Sequence, residues 1–347
     1  MRKVKLGRTD IEVSEICLGS MTWGSQDSEE NGHAQLDYAL ERGVDFIDTA
    51  EMYPVNPVSK DTVGRTEEII GNWLARTGKR QDVILATKIT GEGGAAREGA
   101  AITGPAIRAC VEDSLRRLQS DYIDLYQFHW PNRGSYHFRK TWSFAPDRQP
   151  AKSEIRANMV ECLETLGALV REGKLRAFGL SNESAWGTAQ FLELAEAGHG
   201  PRVASIQNEY SLMCRYYDLD LAELGVQEDV TLLAYSPLAA GILSGQYSGG
   251  AVPAGSRMAA NGNLGGRANP RAFEIADLYV RIARDHGLDP ITMAIAFTLD
   301  RPFPCLPIIG GRSVAQIGAS IDAAGLVLSA DVKEAIAKVH HDHPMPF

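Results

Sequence analysis

Short apolar runs alternate along the whole chain with stretches whose apolar residues recur every three or four positions. Eight of the runs are strand-like: EICLGSM, DFIDTA, VILATKI, DLYQFHW, AFGLSNE, SIQNEY, LLAYSPL and CLPIIGG. Such runs suit strands buried on both faces, and the helical period between them is that of βα units around a parallel sheet. Thr66, followed by two glutamates, opens a helix carrying Ile69, Ile70, Trp73 and Leu74. Pro105 stands where a first helical turn accepts it, ahead of Ile107, Val111, Leu115 and Leu118. Ser329 caps a last helix with Val332, Ile336 and Val339 on one face.

Eight strands, with seven helical segments between them and one after the last, predict an α/β fold of the closed (β/α)8 TIM-barrel kind. An open doubly wound sheet would call for a glycine fingerprint after its first strand, and GSMTWGS is not G-x-G-x-x-G. The first dozen residues alternate around GRTD, which predicts a hairpin plugging the lower end of the barrel. No low-complexity linker divides the 347 residues, so 1–347 are expected to form one domain, with long loops at about 131–153 and 248–269.

Composition narrows the partners. The chain is 44% hydrophobic and 23% charged, a globular balance, and no apolar run approaches the roughly 18 residues of a spanning helix. Its start, MRKVKLGRTDIEVSEI, is charged where a signal peptide would be apolar, so a cytoplasmic protein is expected. A net charge of −9 disfavours nucleic acid and anionic membrane, so any anionic ligand needs a local arginine cluster. Cys17, Cys110, Cys162, Cys214 and Cys305 stand singly among apolar neighbours and read as reduced core thiols. The tail histidines His340, His341 and His343 lack a second ligand cluster, and no metal is expected.

The carboxyl ends of barrel strands are where chemistry is built, and three of them carry four unusual residues. Strand two ends in Asp48 and runs on to Tyr53, strand three ends in Lys88, and strand four ends in His129. A lysine closing an apolar strand needs a counter-charge, which Asp48 next door supplies. The paired ammonium then favours the phenolate of Tyr53, shifting it from about 10 toward neutrality, where it can give a proton to a carbonyl oxygen or take it back. His129 can hydrogen-bond the same oxygen. Each residue also fits a structural use: Asp48 as a cap, Tyr53 as a surface aromatic, Lys88 as a solvated end charge, His129 as a core histidine. Four such residues meeting at one mouth favour chemistry.

At these positions the sequence resembles the aldo-keto reductase superfamily and, within it, a Tas-like bacterial branch. GVDFIDTAEMYP, ILATKI, SLRRLQSDYIDLYQFHWP, GKLRAFGLSNES, IQNEYSL and LLAYSPLAAGILSGQY carry the resemblance, in order, over essentially the whole chain. It implies NADP(H)-dependent reduction of an aldehyde or ketone, with Asp48, Tyr53, Lys88 and His129 as the catalytic tetrad. It also implies that Ser181, Asn182 and Gln207 hold the nicotinamide amide and that Tyr235 stacks on the ring. Ser236, Pro237, Leu238, Gly241, Leu243 and Ser244 would wrap the pyrophosphate. Near the adenosine, Gly310, Arg312, Ser313 and Gln316 fit the family pattern, with Arg312 a partner for a 2′-phosphate. Ala319 and Ser320 stand where the family shows Glu-Asn, which weakens the expected adenine contacts. Arg257 and Arg267 either fold over the pyrophosphate or are solvated.

On the substrate side, Trp23, Trp130 and Trp142, with Tyr136, Phe138 and Phe144, suggest an apolar mouth suited to a ring-bearing carbonyl compound. Two other classes compete. One is a nicotinamide-binding, redox-sensing regulatory subunit on the same fold; the other is a Schiff-base lyase using Lys88 as the amine, against which the neighbouring Asp48 argues.

Overall fold

The computed structural model describes residues 1–55 and 57–347. Two short antiparallel strands come first, β1 (Lys3–Lys5) and β2 (Glu12–Ser14), with Val4 opposite Val13. Strand and helix then alternate through β3 (Cys17–Gly19), α1 (Glu29–Glu41), β4 (Phe46–Asp48), α2 (Arg65–Thr77), β5 (Ile84–Ile89) and α3 (Gly104–Leu118). They continue through β6 (Ile123–Phe128), α4 (Lys152–Arg171), β7 (Leu175–Ser181), α5 (Ala185–Glu196), β8 (Val203–Glu209), α6 (Asp220–Gln227) and β9 (Thr231–Tyr235). Before the last strand come α7 (Arg257–Ala260), α8 (Pro270–Asp285) and α9 (Pro290–Leu299); β10 (Cys305–Ile309), α10 (Val314–Ile321) and α11 (Ala330–Asp342) end the chain. Strands β3 to β10 run parallel and close on themselves, β10 pairing with β3. The eight expected runs are the eight barrel strands.

Local chemistry accounts for most helix starts. Ser28, Thr103, Ser184, Asn269, Ser313 and Ser329 each accept a bond from a backbone N–H two or three residues into the following helix. At α2 the expectation needs correction. Gly64, in the left-handed region, makes the turn, and Thr66 lies inside the helix with its hydroxyl on the Trp23 carbonyl. Three helices rather than one stand between β9 and β10, and two follow β10. The additional α9, PITMAIAFTL, is apolar almost all round, so no periodic stripe marks it.

The barrel interior explains both the plug and the site. Cys17, Phe46, Ala86, Leu125, Ala177, Ala204 and Leu233 from the first seven barrel strands, with Leu306 and Ile308 from β10, join Leu6, Ile11 and Val13 of the hairpin in one buried apolar cluster. Side chains two residues apart along a strand face the same way. Moving two positions from Phe46, Ala86 and Leu125 toward the carboxyl ends therefore stacks Asp48, Lys88 and Gln127 on this apolar floor. Gly179, at the matching step from Ala177, leaves the room: a Cβ there would stand 2.5 Å from Ser205 Oγ and 3.3 Å from Gln127 Cγ.

Helices pack outside the strands, and α2 meets α3 closely at Gly71. A Cβ at Gly71 would lie 2.1 Å from the Arg117 carbonyl oxygen, which is backbone and has nowhere to move. Gly71→Ala is expected to lose roughly 1–3 kcal/mol of stability despite the better helix propensity of alanine, read as a lowered urea midpoint at unchanged slope. All five cysteines are buried and unpaired, as the sequence suggested. Among the described residues no helix is long and apolar enough to cross a membrane.

Candidate active site

Lys88 is fully buried, and its ammonium is saturated by neighbours on the adjoining strand. Nζ donates to Asp48 Oδ2 at 2.5 Å and to the Thr49 carbonyl at 2.7 Å, and lies 3.5 Å from the Tyr53 hydroxyl. The other Asp48 oxygen accepts from Gln127 Nε2 at 3.1 Å and Gln207 Nε2 at 2.8 Å. The Tyr53 ring sits edge-on to the His129 imidazole, centroids 5.7 Å apart. Asp48, Tyr53, Lys88 and His129 thus come together at the carboxyl end of the barrel.

Electrostatics at this cluster differ in one respect from the sequence expectation. Burial is the largest influence on Tyr53 and raises its phenol above the ordinary value; Lys88 pulls the other way, by charge and by hydrogen bond, without reversing it. The phenol is accordingly a proton carrier held protonated at neutral pH, not one poised near neutrality. Burial also works against the Lys88 charge, but Asp48 and Tyr53 outweigh it and the ammonium persists. His129 is pushed well below its usual range, first by burial and then by the Lys88 charge, so it is a neutral imidazole. Its Nδ1 is buried with no partner among the described residues.

Beside this cluster the strand ends of β7, β8 and β9 are knitted together. Ser181 Oγ donates to the Gln207 carbonyl, Asn182 Nδ2 to the His129 carbonyl, and the Tyr235 hydroxyl to Asn182 Oδ1 at 2.8 Å. The turn after Tyr235 is unusual. Ser236, Ala239, Ala240 and Gly241 all have positive φ (54°, 48°, 60° and 91°), and each such non-glycine residue costs roughly 1–2 kcal/mol. Leu238, at φ −99° and ψ 14°, precedes the left-handed Ala239, and the Ala239 and Gly241 N–H groups bond back to the Ser236 and Leu238 carbonyls. Pro237 is buried; Leu243 packs into the core, and Ser244 closes the turn on the Gly241 carbonyl.

Three arginines surround this turn. Arg267, expected either at the phosphates or in solvent, is buried and donates to Glu209, to the Leu264 carbonyl and to Ser236 Oγ. Arg139 takes the second Glu209 oxygen. No carboxylate pairs with Arg257 among the described residues. Burial first, then the Arg267 charge, pushes its guanidinium down to about 10.

At the far end, Gly310 and Arg312 lead from β10 into α10, capped by Ser313. Arg312 donates to the Gly255 carbonyl at 2.5 Å and to the Gln26 carbonyl at 3.4 Å, with Asp27 3.7 Å away, and Gln316 Oε1 accepts from the Arg312 backbone N–H. Ser320 is buried, and Ala319, whose carbonyl takes the Thr292 hydroxyl, has only a methyl group for a side chain.

The three tryptophans part company. Trp130 stays at the mouth: its ring lies 5.0 Å from that of His129, its Nε1 donates to the Glu92 carbonyl, and the Phe138 ring stands edge-on at 5.9 Å. Trp23 does not line the mouth, because its indole is fully buried against Gly32 of α1; Met21 takes the expected place, packing beside Tyr53 and Met52. Trp142 is 80% exposed at the outside of its loop.

Sequence reasoning missed a set of buried carboxylates around the rim. Glu51 and Glu183 follow β4 and β7, Glu209 ends β8, and all three are paired with loop arginines, Arg97 on Glu51, Arg133 on Glu183, and Arg139 with Arg267 on Glu209. The signal was present, since IDTAE, LSNE and IQNE each close an apolar run with an acid. Gln127, within β6, was missed as well.

A parallel barrel with an acid, a lysine, a tyrosine and a histidine converging at its mouth is an arrangement suited to an oxidoreductase. Residues 15–341 match the profile of the aldo/keto reductase family, and the chain belongs to it. It is 41% identical to Protein tas of Escherichia coli, covering 100% of this chain and 99% of that protein. An uncharacterized oxidoreductase of Bacillus subtilis, YrpG, is 30% identical with 96% and 94% coverage, and a probable voltage-gated potassium channel subunit beta of Arabidopsis thaliana is 27% identical with 94% and 92%.

Proposed function

We propose that this protein reduces an aldehyde or ketone to the alcohol with NADPH, Tyr53 donating the proton. The observation that carries the reading is the buried Lys88–Asp48 pair with the Tyr53 hydroxyl 3.5 Å from the ammonium, at the open end of the barrel. The nicotinamide, when bound, supplies the hydride. Ser181, Asn182 and Gln207 would hold its amide, Tyr235 its ring, and the strained turn from Ser236 to Ser244 its pyrophosphate. Arg257, half-buried and facing no carboxylate among the described residues, supports that placement, since an anion would relieve the burial and the Arg267 charge that push its guanidinium down. Tyr53 carries the transferred proton at its hydroxyl, Lys88 keeps that proton labile, and the neutral His129 orients the carbonyl oxygen. Trp130 and Phe138 supply an apolar wall that suits a ring-bearing substrate.

NADPH oxidation followed at 340 nm against a panel of aliphatic and aromatic aldehydes tests the reading; binding of NADPH without turnover of any would instead support a regulatory subunit, for which the name of the Arabidopsis relative speaks. The 2′-phosphate role of Arg312 is tested in the same titrations. Arg312→Ala is expected to narrow the preference for NADPH over NADH by about ten-fold to a hundred-fold, the worth of a charge-assisted bond. The ratio is the readout, because Arg312 also holds Gly255 and its loss weakens both cofactors. Equal affinities in the parent would remove the phosphate role.

A further inference from the structure

Two loops of quite different sequence position share one anchor. Glu209, at the end of β8 and nearly buried, gives Oε1 to Arg267 Nε at 2.7 Å and Oε2 to Arg139 Nη1 at 2.8 Å. Arg267 belongs to the loop after β9 and also reaches Ser236 Oγ, the first residue of the strained turn. Arg139 belongs to the loop after β6, and the preceding residue, Phe138, forms the wall with Trp130. The loops also touch directly. Gly266, at φ 86°, lies so close to Arg139 that a Cβ would stand 3.0 Å from its Cδ, and one at Gly265 would stand 3.7 Å from Arg139 Nη2.

We propose that Glu209 is a positioning residue that sets the substrate wall and the cofactor turn together, so that selection for a ring-bearing carbonyl depends on the same carboxylate that orders the cofactor loop. Its physical basis is a count of charges. Two guanidiniums share one carboxylate in a buried place; removing that carboxylate leaves two like charges to repel, whereas removing either arginine leaves a neutral pair behind. Phe138 and Arg139 are held at φ 57° and 61°, a conformation that bulky residues keep only when their surroundings impose it. Releasing Arg139 should therefore let the Phe138 wall relax away from Trp130.

The test has one arm that is independent of the carbonyl-reductase reading and one that rests on it. In the first, amide hydrogen exchange is measured for 131–153 and 255–268 in the parent, Arg139→Met, Arg267→Met and Glu209→Gln. Arg139→Met should speed exchange in the first loop only, Arg267→Met in the second only, and Glu209→Gln in both. Should Glu209→Gln not fold, the two arginine variants decide: acceleration of neither loop, or of the wrong one, overturns the shared anchor. In the second arm, Arg139→Met should raise KM for 4-nitrobenzaldehyde relative to propanal by about ten-fold, the equivalent of about 1.4 kcal/mol, with kcat and NADPH affinity little changed. Arg267→Met and Glu209→Gln should weaken NADPH binding as well, and Arg139→Lys, which keeps the charge, should recover part of the ring preference. An unchanged KM ratio in Arg139→Met overturns the wall assignment even where exchange follows expectation. Parent protein that turns over neither aldehyde fails the functional reading alone, leaving the exchange result to stand or fall by itself.

Discussion

Tyr53→Phe is expected to lose about 10²–10⁴ in turnover while binding NADPH as the parent does, because the substitution removes the acid and almost no volume. The magnitude follows from what general-acid groups contribute when a carbonyl oxygen must be protonated as the hydride arrives. Nothing else at the mouth can replace the phenol: His129 is held neutral by burial and by Lys88, and the Lys88 protons are committed to Asp48 and Thr49. Fluorescence titration with NADPH, set beside single-turnover reduction of an aromatic aldehyde, separates binding from chemistry. A phenylalanine variant reducing aldehydes near the parent rate would end the proton-donor assignment.

Lys88→Met carries the second large effect, and its sign differs between the two directions of reaction. Burial already raises the Tyr53 phenol, and Lys88 is the main opposing influence, so its removal sends the phenol higher still. Alcohol oxidation needs phenolate, whose population near neutral pH falls ten-fold for each unit by which the phenol rises. Oxidation should therefore drop steeply and recover as pH increases toward the new value. Reduction uses the protonated phenol, present at neutral pH in both proteins, and should fall less, since only the acid strength changes. Asp48→Asn removes the largest influence that keeps the charge on the buried Lys88 and should shift both directions in the same sense as Lys88→Met, with the side chain still held on the Thr49 carbonyl. Lys88→Met also leaves the Asp48 carboxylate buried, with Gln127 and Gln207 as its remaining donors, at a stability cost on the order of 3–5 kcal/mol. The combined Asp48→Asn, Lys88→Met protein removes that charge and serves as the comparison in which folding is least at issue. Parent-like pH profiles in both directions for Lys88→Met would reduce Lys88 to a structural partner of Asp48.

Why the barrel was legible and parts of its mouth were not comes down to the range over which each signal acts. A parallel strand buried on both faces must be apolar throughout, so each of the eight runs announces itself within a few residues. Asp48, Lys88 and His129 stood out for the same reason, as polar breaks at the ends of such runs. Helix α9 gave no stripe because it is apolar on nearly every face. Trp23 was assigned to the mouth by its position after a strand, but the room that Gly32 leaves on α1 decides where its ring goes, and that contact is not local. The rim carboxylates were hidden by distance as well: Arg97 lies 46 residues from Glu51, Arg133 lies 50 from Glu183, and Arg139 lies 70 from Glu209. The direction of the Tyr53 shift was misjudged because charge can be read from neighbours in sequence whereas burial belongs to the whole fold.

The rim has a bearing on how such a protein could be rebuilt. Each carboxylate sits at or just past the end of a barrel strand and each cation on a loop from another strand, so the acids behave as sockets and the arginines as plugs. A foreign loop grafted after β6 need match only its two ends and the two guanidiniums to seat, while the other residues are free to vary in length and shape. Grafts that keep Arg133 and Arg139 should give folded proteins with altered substrate range, and those that drop them should leave a bare buried acid beneath a loose loop.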